Sequence, residues 1–269
     1  MLGTAKETTP PAALFQIDEQ TDPKYCYRSK KLIKKVRQQL VDNQVQYKYK
    51  ENQKLPSGHG TFNGFICQQT FKPAVWGTAF YEDKSTYDGQ FENGLPNGMG
   101  KLTLENGDTY EGSFKNEKAN GFGLLTAMHK TYLGEWLDDT QHGAGTETFK
   151  DGSQFKGQFQ HGKKHGFGYY RWADQTTYEG NWQNSKMEGM GTYTWADGRS
   201  YTGQWHQNNM HGQGIYKFTN GSSYEGEFLE DKRSGTGKMV WADGRSYEGS
   251  WLDGKMHGKG VYIKASGER

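Results

Sequence analysis

The sequence predicts an all-β fold: an elongated single-layer antiparallel solenoid of stacked β-hairpins, with an N-terminal extension containing one short helix. Three observations predict it. Aromatic anchors at Tyr87, Tyr110, Tyr132, Phe155, Tyr178, Tyr201, Tyr224 and Tyr247 recur at a step of 23 residues, with a single step of 22. Each anchor is followed two residues on by a glycine (Gly89 to Gly249) and four on by a second ring, as in Tyr247-Glu248-Gly249-Ser250-Trp251. A G-x-G then follows, from Gly98/Gly100 to Gly258/Gly260, and most units continue with alternating bulky residues such as Tyr193/Trp195 and Tyr216/Phe218. So regular a recurrence makes the repeat the first fact about the chain.

Residues i, i+2 and i+4 of an extended chain share a face, so Tyr247, Gly249 and Trp251 point the same way. Between the runs stand Asn106-Gly107, Asp151-Gly152, Asp197-Gly198, Asn220-Gly221 and Asp243-Gly244. These dipeptides favour two-residue hairpin turns with positive φ, which makes each unit a small hairpin. Glycine inside a strand implies a close approach, here by neighbouring rings lying flat over it. One hairpin cannot bury such a face, whereas stacked hairpins can. Eight two-stranded units at strand spacing span about 75 Å. The third unit is one residue short around Met128 to Lys130, and Asp174-Gln175 replaces the usual dipeptide; tight turns are in question at those two corners.

Composition narrows the function. Only 32% of the chain is hydrophobic and its mean hydropathy is −1.03, too polar for a two-layer globule but sufficient for one layer. The 14% aromatic content and 38 glycines, held in register, separate it from a disordered chain. No apolar run of spanning length and no secretory signal is present, so a cytoplasmic protein is expected. Cys26 and Cys67 fit no metal motif. A net charge of +2 gives no reason to expect nucleic acid.

In chain order, residues 1–27 read as an extended tail. Residues 28–46 read as an amphipathic helix, with Leu32, Ile33, Val36, Leu40 and Val41 at helical spacing. Arg28, Lys30, Lys31, Lys34, Lys35 and Arg37 give it a basic face suited to anionic lipid or an acidic partner. Its apolar stripe is expected to cap the first hairpin or dock a partner, in preference to lipid. Residues 47–84 read as degenerate units, in which Leu55-Pro56-Ser57-Gly58-His59-Gly60 echoes Leu95 to Gly100 and the anchor triplet is missing. Residues 85–269 hold the eight full repeats. The last strand is expected to leave an open edge through which copies could associate.

No chemistry stands out. The G-x-G pairs lack the third glycine and the strand-to-helix passage of a phosphate loop. His142, His165, His211 and His257 share one repeat position, and units about 10 Å apart cannot bring two of them to one zinc. They are read as turn residues. Glu111, Glu179, Glu225 and Glu248 fall on the opposite, wetter face, with no acid/base pair among them. Neither an enzyme nor a cofactor is expected.

The pattern Y-x-G-x-[WF] followed by G-x-G, over roughly residues 85 to 267, resembles the MORN repeat family. The resemblance implies a hairpin solenoid acting as scaffold or tether in cytoskeletal, ciliary and membrane-junction assemblies. It points to a non-catalytic scaffold holding other proteins in a large complex, such as a ciliary axoneme or radial-spoke head. The alternatives are a tether binding anionic phospholipid through the basic helix, and the regulatory repeat region of a lipid kinase. The candidate partner groove is the ring face: Tyr87, Tyr110, Tyr132, Trp136, Tyr178, Trp182, Tyr201, Trp205, Tyr224, Tyr247 and Trp251.

Overall fold

The computed structural model describes residues 47–269. The expected tail and basic helix lie outside the described residues. Among the described residues, nineteen strands form one sheet. Strands β1 (Tyr47–Lys54), β2 (Gly60–Cys67) and β3 (Pro73–Tyr81) precede the first full unit, made of β4 (Thr86–Glu92) and β5 (Leu95–Thr103). The pattern continues through β6 (Thr109–Lys115) to β18 (Ser246–Leu252) and β19 (Lys255–Ile263). Every strand pairs antiparallel with the strands before and after it in the chain, so the sheet is one long meander.

The glycines explain why the register repeats. From Gly64 on β2 to Gly260 on β19, each strand places one glycine directly opposite the glycine of the next, in an unbroken row. The anchor ring lies flat on this row. A methyl group at Gly203 would fall 2.5 Å from the Gly214 Cα and 2.6 Å from the Tyr201 hydroxyl, so no side chain fits. The anchor hydroxyl also does polar work: Tyr201 Oη donates to the carbonyls of Gln204 at 2.8 Å and His211 at 3.2 Å. Those carbonyls sit at the bulge where register shifts between Gly203 and Gln204. Gln204 Oε1 accepts the Gln213 amide on the same bulge, at 2.9 Å.

Above the row the rings interlock. Each second ring stands edge-on to its own anchor and to the anchor of the preceding unit. The chain of contacts runs from Phe62 to Tyr247, with centroids 4.9–5.5 Å apart and planes crossed at 74–90°. Edge-to-face pairs place the positive ring edge on the negative face and add about 0.5–1.5 kcal/mol beyond area burial. Trp136, Trp182, Trp205 and Trp251 also donate their indole N–H to row-glycine carbonyls of the preceding unit.

The two edges of the ribbon turn differently, and the Asn-Gly and Asp-Gly corners are not the two-residue turns expected from sequence. At Asn106-Gly107, the Gly107 amide bonds to the Leu104 carbonyl and the Leu104 amide to Asp108, with only Gly107 left-handed (φ 86°). This is a three-residue loop, a type I turn closed by a left-handed glycine. The first side chain of the dipeptide accepts the amide two residues on, as Asp151 does from Ser153 at 2.8 Å. Gln175 keeps the same geometry at φ 72°, with Asp174 capping Thr176. The short third unit closes over Met128-His129 through a bond from the Ala127 amide to the Lys130 carbonyl.

The two-residue turns lie on the other edge, where both central residues are left-handed: Asn184-Ser185, Gln207-Asn208 and Glu230-Asp231 among them. Their second residue ties one unit to the last. The Asn208 amide donates to the Met187 carbonyl at 3.0 Å, and the Met187 amide returns a bond to Asn208 Oδ1 at 2.8 Å.

The degenerate region has its own anchor, which the sequence reading did not find. The Phe62 ring lies over Gly64 and Gly77, and Ile66 is buried in the place of a second ring. Leu55 to Gly60 is the corner between β1 and β2, not a counterpart of Leu95 to Gly100. That counterpart is Val75-Trp76-Gly77, with Val75 left-handed at φ 69° where other units carry glycine.

Candidate functional site

The rings named for the partner groove are core. Tyr87, Tyr110, Tyr132, Tyr178, Trp182, Tyr201, Trp205, Tyr224, Tyr247 and Trp251 are 0–7% exposed, and Trp136 is half-buried. The physical reason is the interlock itself, in which every anchor before Tyr247 is covered by two second rings and Tyr247 by Trp251. A partner cannot reach them without unzipping the sheet. The basic residues Arg28, Lys30, Lys31, Lys34, Lys35 and Arg37 lie outside the described residues.

The reachable rings are the bulky residues after each G-x-G. Tyr193 lies opposite both Tyr178 and Tyr201, and so shares their face. Yet it is only half-buried where those anchors are sealed, with the Trp205 ring 5.7 Å away on one side. Tyr170, Trp172, Tyr193, Trp195, Tyr216 and Phe218 form a second, half-buried ladder, with successive centroids 4.5, 5.3, 4.7, 5.4 and 4.7 Å apart. Trp241 and Tyr262 continue it toward the last strand, 5.9 Å apart. Guanidinium groups hold the ladder in place. Arg199 lies 5.3 Å over the Trp195 ring, donates to Tyr216 Oη at 3.2 Å and pairs with Asp197 at 2.7 Å. Arg245 repeats the arrangement with Trp241, Tyr262 and Asp243.

Two units depart from the ladder: Met239, 5% exposed, takes the ring position between Tyr216 and Tyr262, and the unit before Tyr170 departs further. Glu147 takes the position of Tyr170 and Tyr193, faces Tyr132 and Phe155, and is 4% exposed. It is held by Lys130 at 2.6 Å and Lys164 at 2.9 Å. Lys164 in turn sits 5.2–5.6 Å over the rings of Phe149, Phe155 and Tyr170. Burial alone would raise the Glu147 carboxyl, but the two ammonium partners prevail and hold it below the usual carboxylate range.

At the other end of the same face lies a cavity of about 480 Å³. Its floor is Tyr81, Tyr87, Leu102 and Phe114, and its rim carries Glu82, Asp83 and Glu117, with no lysine or arginine among the described residues that line it. Burial, with the Glu117 and Asp83 carboxylates adding to it, pushes the Tyr81 phenol up to about 12.

His142, His165, His211 and His257, expected in turns, lie within strands beside the bulges. The carbonyls of His142, His211 and His257 accept from anchor hydroxyls. Glu179, Glu225 and Glu248 are exposed on the opposite face, where Glu111 pairs with Lys101 at 2.7 Å. Among the described residues, no group of three or more His, Cys, Asp or Glu is placed to hold a metal ion.

Sequence comparison agrees with the geometry. The family model described as MORN repeat matches residues 87–109, 110–127, 132–154, 155–177, 178–198, 201–223, 224–244 and 247–269. No curated protein matches the chain. Among solved structures, the chain is similar to the TCP domain of SAS-4 (dCPAP) of Drosophila melanogaster, in complex with a proline rich motif of Ana2 (dSTIL). The identity is 14% and the TM-score 0.35, covering 57% of this chain and 85% of that one. The wild-type TCP10 domain of Danio rerio CPAP is 11% identical, with a TM-score of 0.25, covering 77% and 89%.

Proposed function

The chain belongs to the MORN repeat family, whose repeats serve as protein- or membrane-interaction scaffolds, and from that premise we propose that it is a non-catalytic protein-binding scaffold. A partner segment lies across the strands on the ring ladder from Tyr170 to Tyr262. The observation that carries this reading is the ladder's half-exposure: tilted rings recurring unit by unit, with Met239 in one ring's place, clamped by Arg199 and Arg245 on a face whose anchor rings are sealed. Aromatic and Arg side chains of this kind concentrate binding energy at interfaces. The setting, a large cytoplasmic and cytoskeletal assembly of the ciliary-axoneme or radial-spoke type, rests on the family resemblance.

The test is co-purification of native partners with the chain and with its Trp172→Ala/Trp195→Ala/Trp241→Ala variant. The variant is expected to keep its sheet by circular dichroism and to lose partner proteins. An unchanged partner set would overturn the ladder as the binding surface. A second reading is favoured by the six cations between Arg28 and Arg37: attachment to anionic lipid. It predicts salt-sensitive sedimentation with phosphatidylserine vesicles, abolished when Lys30, Lys31, Lys34 and Lys35 are neutralised.

A further inference from the structure

We propose that the acid-rimmed cavity at the N-terminal end of the ribbon is the docking seat of the chain's own basic segment, residues 28–46. The inference concerns the opposite end of the ring face from the partner ladder, and it stands whether or not that ladder binds.

Charge makes the first argument. The segment carries six lysines and arginines between Arg28 and Arg37 with no acid among them. The cavity presents Glu82, Asp83 and Glu117, with His59 as the one basic-type side chain among the described residues of its lining. Glu82, Asp83 and Glu117 are exposed, although Glu82 already meets His59 at 3.4 Å and Asp83 accepts from the Ser85 amide and hydroxyl. Shape makes the second. Leu32, Ile33, Val36, Leu40 and Val41 form one apolar stripe at helical spacing, and the cavity floor of Tyr81, Tyr87, Leu102 and Phe114 is an apolar surface of matching character.

Reach makes the third argument. The segment ends at residue 46, immediately before Tyr47, which opens β1 opposite Cys67. Cys67 lies on the edge of the ribbon that also carries the Asn93-Gly94 and Asn116-Glu117 turns, since Gly94 bonds to Pro73 and Glu117 to Pro96. The chain therefore enters β1 on the same edge as Glu117, with Glu82 and Asp83 at a corner of the opposite edge. Helical residues rise about 1.5 Å each, so this segment spans about 28 Å. From β1 to the turn after β6 is about five strand spacings, or about 24 Å. A helix laid across the strands fits that distance without a linker. Seated there, it covers the ring face of the first units and leaves the ladder from Tyr170 onward open, so self-docking and partner docking use different halves of the ribbon.

Hydrogen exchange of the full chain tests this. Peptides from residues 28–46 are expected to exchange at least about tenfold slower than an unstructured segment. The Glu82→Lys/Glu117→Lys variant is expected to lose that protection, and replacing Lys30, Lys31, Lys34 and Lys35 with glutamate in the same variant is expected to restore it. Peptides from residues 201–260, read in the same samples, report whether the sheet itself is intact. Free exchange of 28–46 in the unmodified chain would overturn the proposal, as would protection indifferent to the two rim substitutions. Protection that disappears on dilution would assign the cavity to the segment of a second copy and overturn the intramolecular seat.

Discussion

At the scale of single residues, the glycines divide into two kinds with different consequences. Row glycines such as Gly203 have no room for a methyl group against backbone and ring, whereas corner glycines such as Gly198 meet nothing within 4 Å and matter only through φ 89°. Gly203→Ala is therefore expected to cost at least about 3 kcal/mol, because neither the Gly214 backbone nor the buried anchor can yield. Gly198→Ala should cost about 1–2 kcal/mol of left-handed strain. Gln175→Gly, which relieves that strain at φ 72°, should gain about 1 kcal/mol. Urea unfolding of the three variants checks the order. The row was legible because an aromatic and a glycine two apart must share a face. Phe62 escaped because Gly64 and Gly77 are thirteen residues apart where Gly89 and Gly100 are eleven. The longer connection from Cys67 to Pro73, and Val75 in a glycine's place, hid the unit.

At the scale of elements, the Glu147 site shows what happens when one unit leaves the pattern. A carboxylate buried among Tyr132, Phe155 and two lysines is tolerated because both ammonium groups meet it. Glu147→Gln leaves those lysines without their counter-charge and should cost about 3 kcal/mol, less if Lys130 swings into solvent. The sign of the pH dependence follows from the lowered pKa. The contribution is complete above the unfolded value of about 4.3 and is lost as pH falls through the lower folded value. Acid unfolding followed by tryptophan fluorescence should thus begin at higher pH than for a chain lacking carboxylates of this type, and E147Q should flatten that limb. Sequence alone placed the hairpins but put two-residue turns at the Asn-Gly and Asp-Gly corners, where the loops have three residues. Asn-Gly serves two-residue and three-residue loops alike, and Gln207-Asn208 carries no glycine to betray two left-handed residues. The open ladder was visible as alternation at Tyr193/Trp195. Which ring set stays open was not, since both share a face and only the interlock decides.

At the scale of the whole molecule, strands among the described residues pair only with chain neighbours, so stability is a sum of unit and junction terms. Deleting residues 201–223, one full period, should leave a folded ribbon with a lower Tm. Deleting residues 201–211, half a period, sets unlike strands side by side and should abolish folding; circular dichroism with thermal melting distinguishes the two. Nineteen strands at about 4.8 Å give a length of about 90 Å and a radius of gyration of about 25 Å. A compact domain of this size would have about 18 Å. Small-angle scattering checks the elongation, which was predictable from the repeat and the low hydropathy together.

The meander also dictates how the ribbon responds to force. Its backbone hydrogen bonds run along the long axis, so a pull on the two ends loads them in series and strips one strand at a time instead of shearing many together. Each release frees about eleven residues, or about 4 nm of contour, and optical-tweezer traces should show a low, even sawtooth. A chain built this way is a compliant spacer that lengthens in steps under tension and re-zips when slack returns.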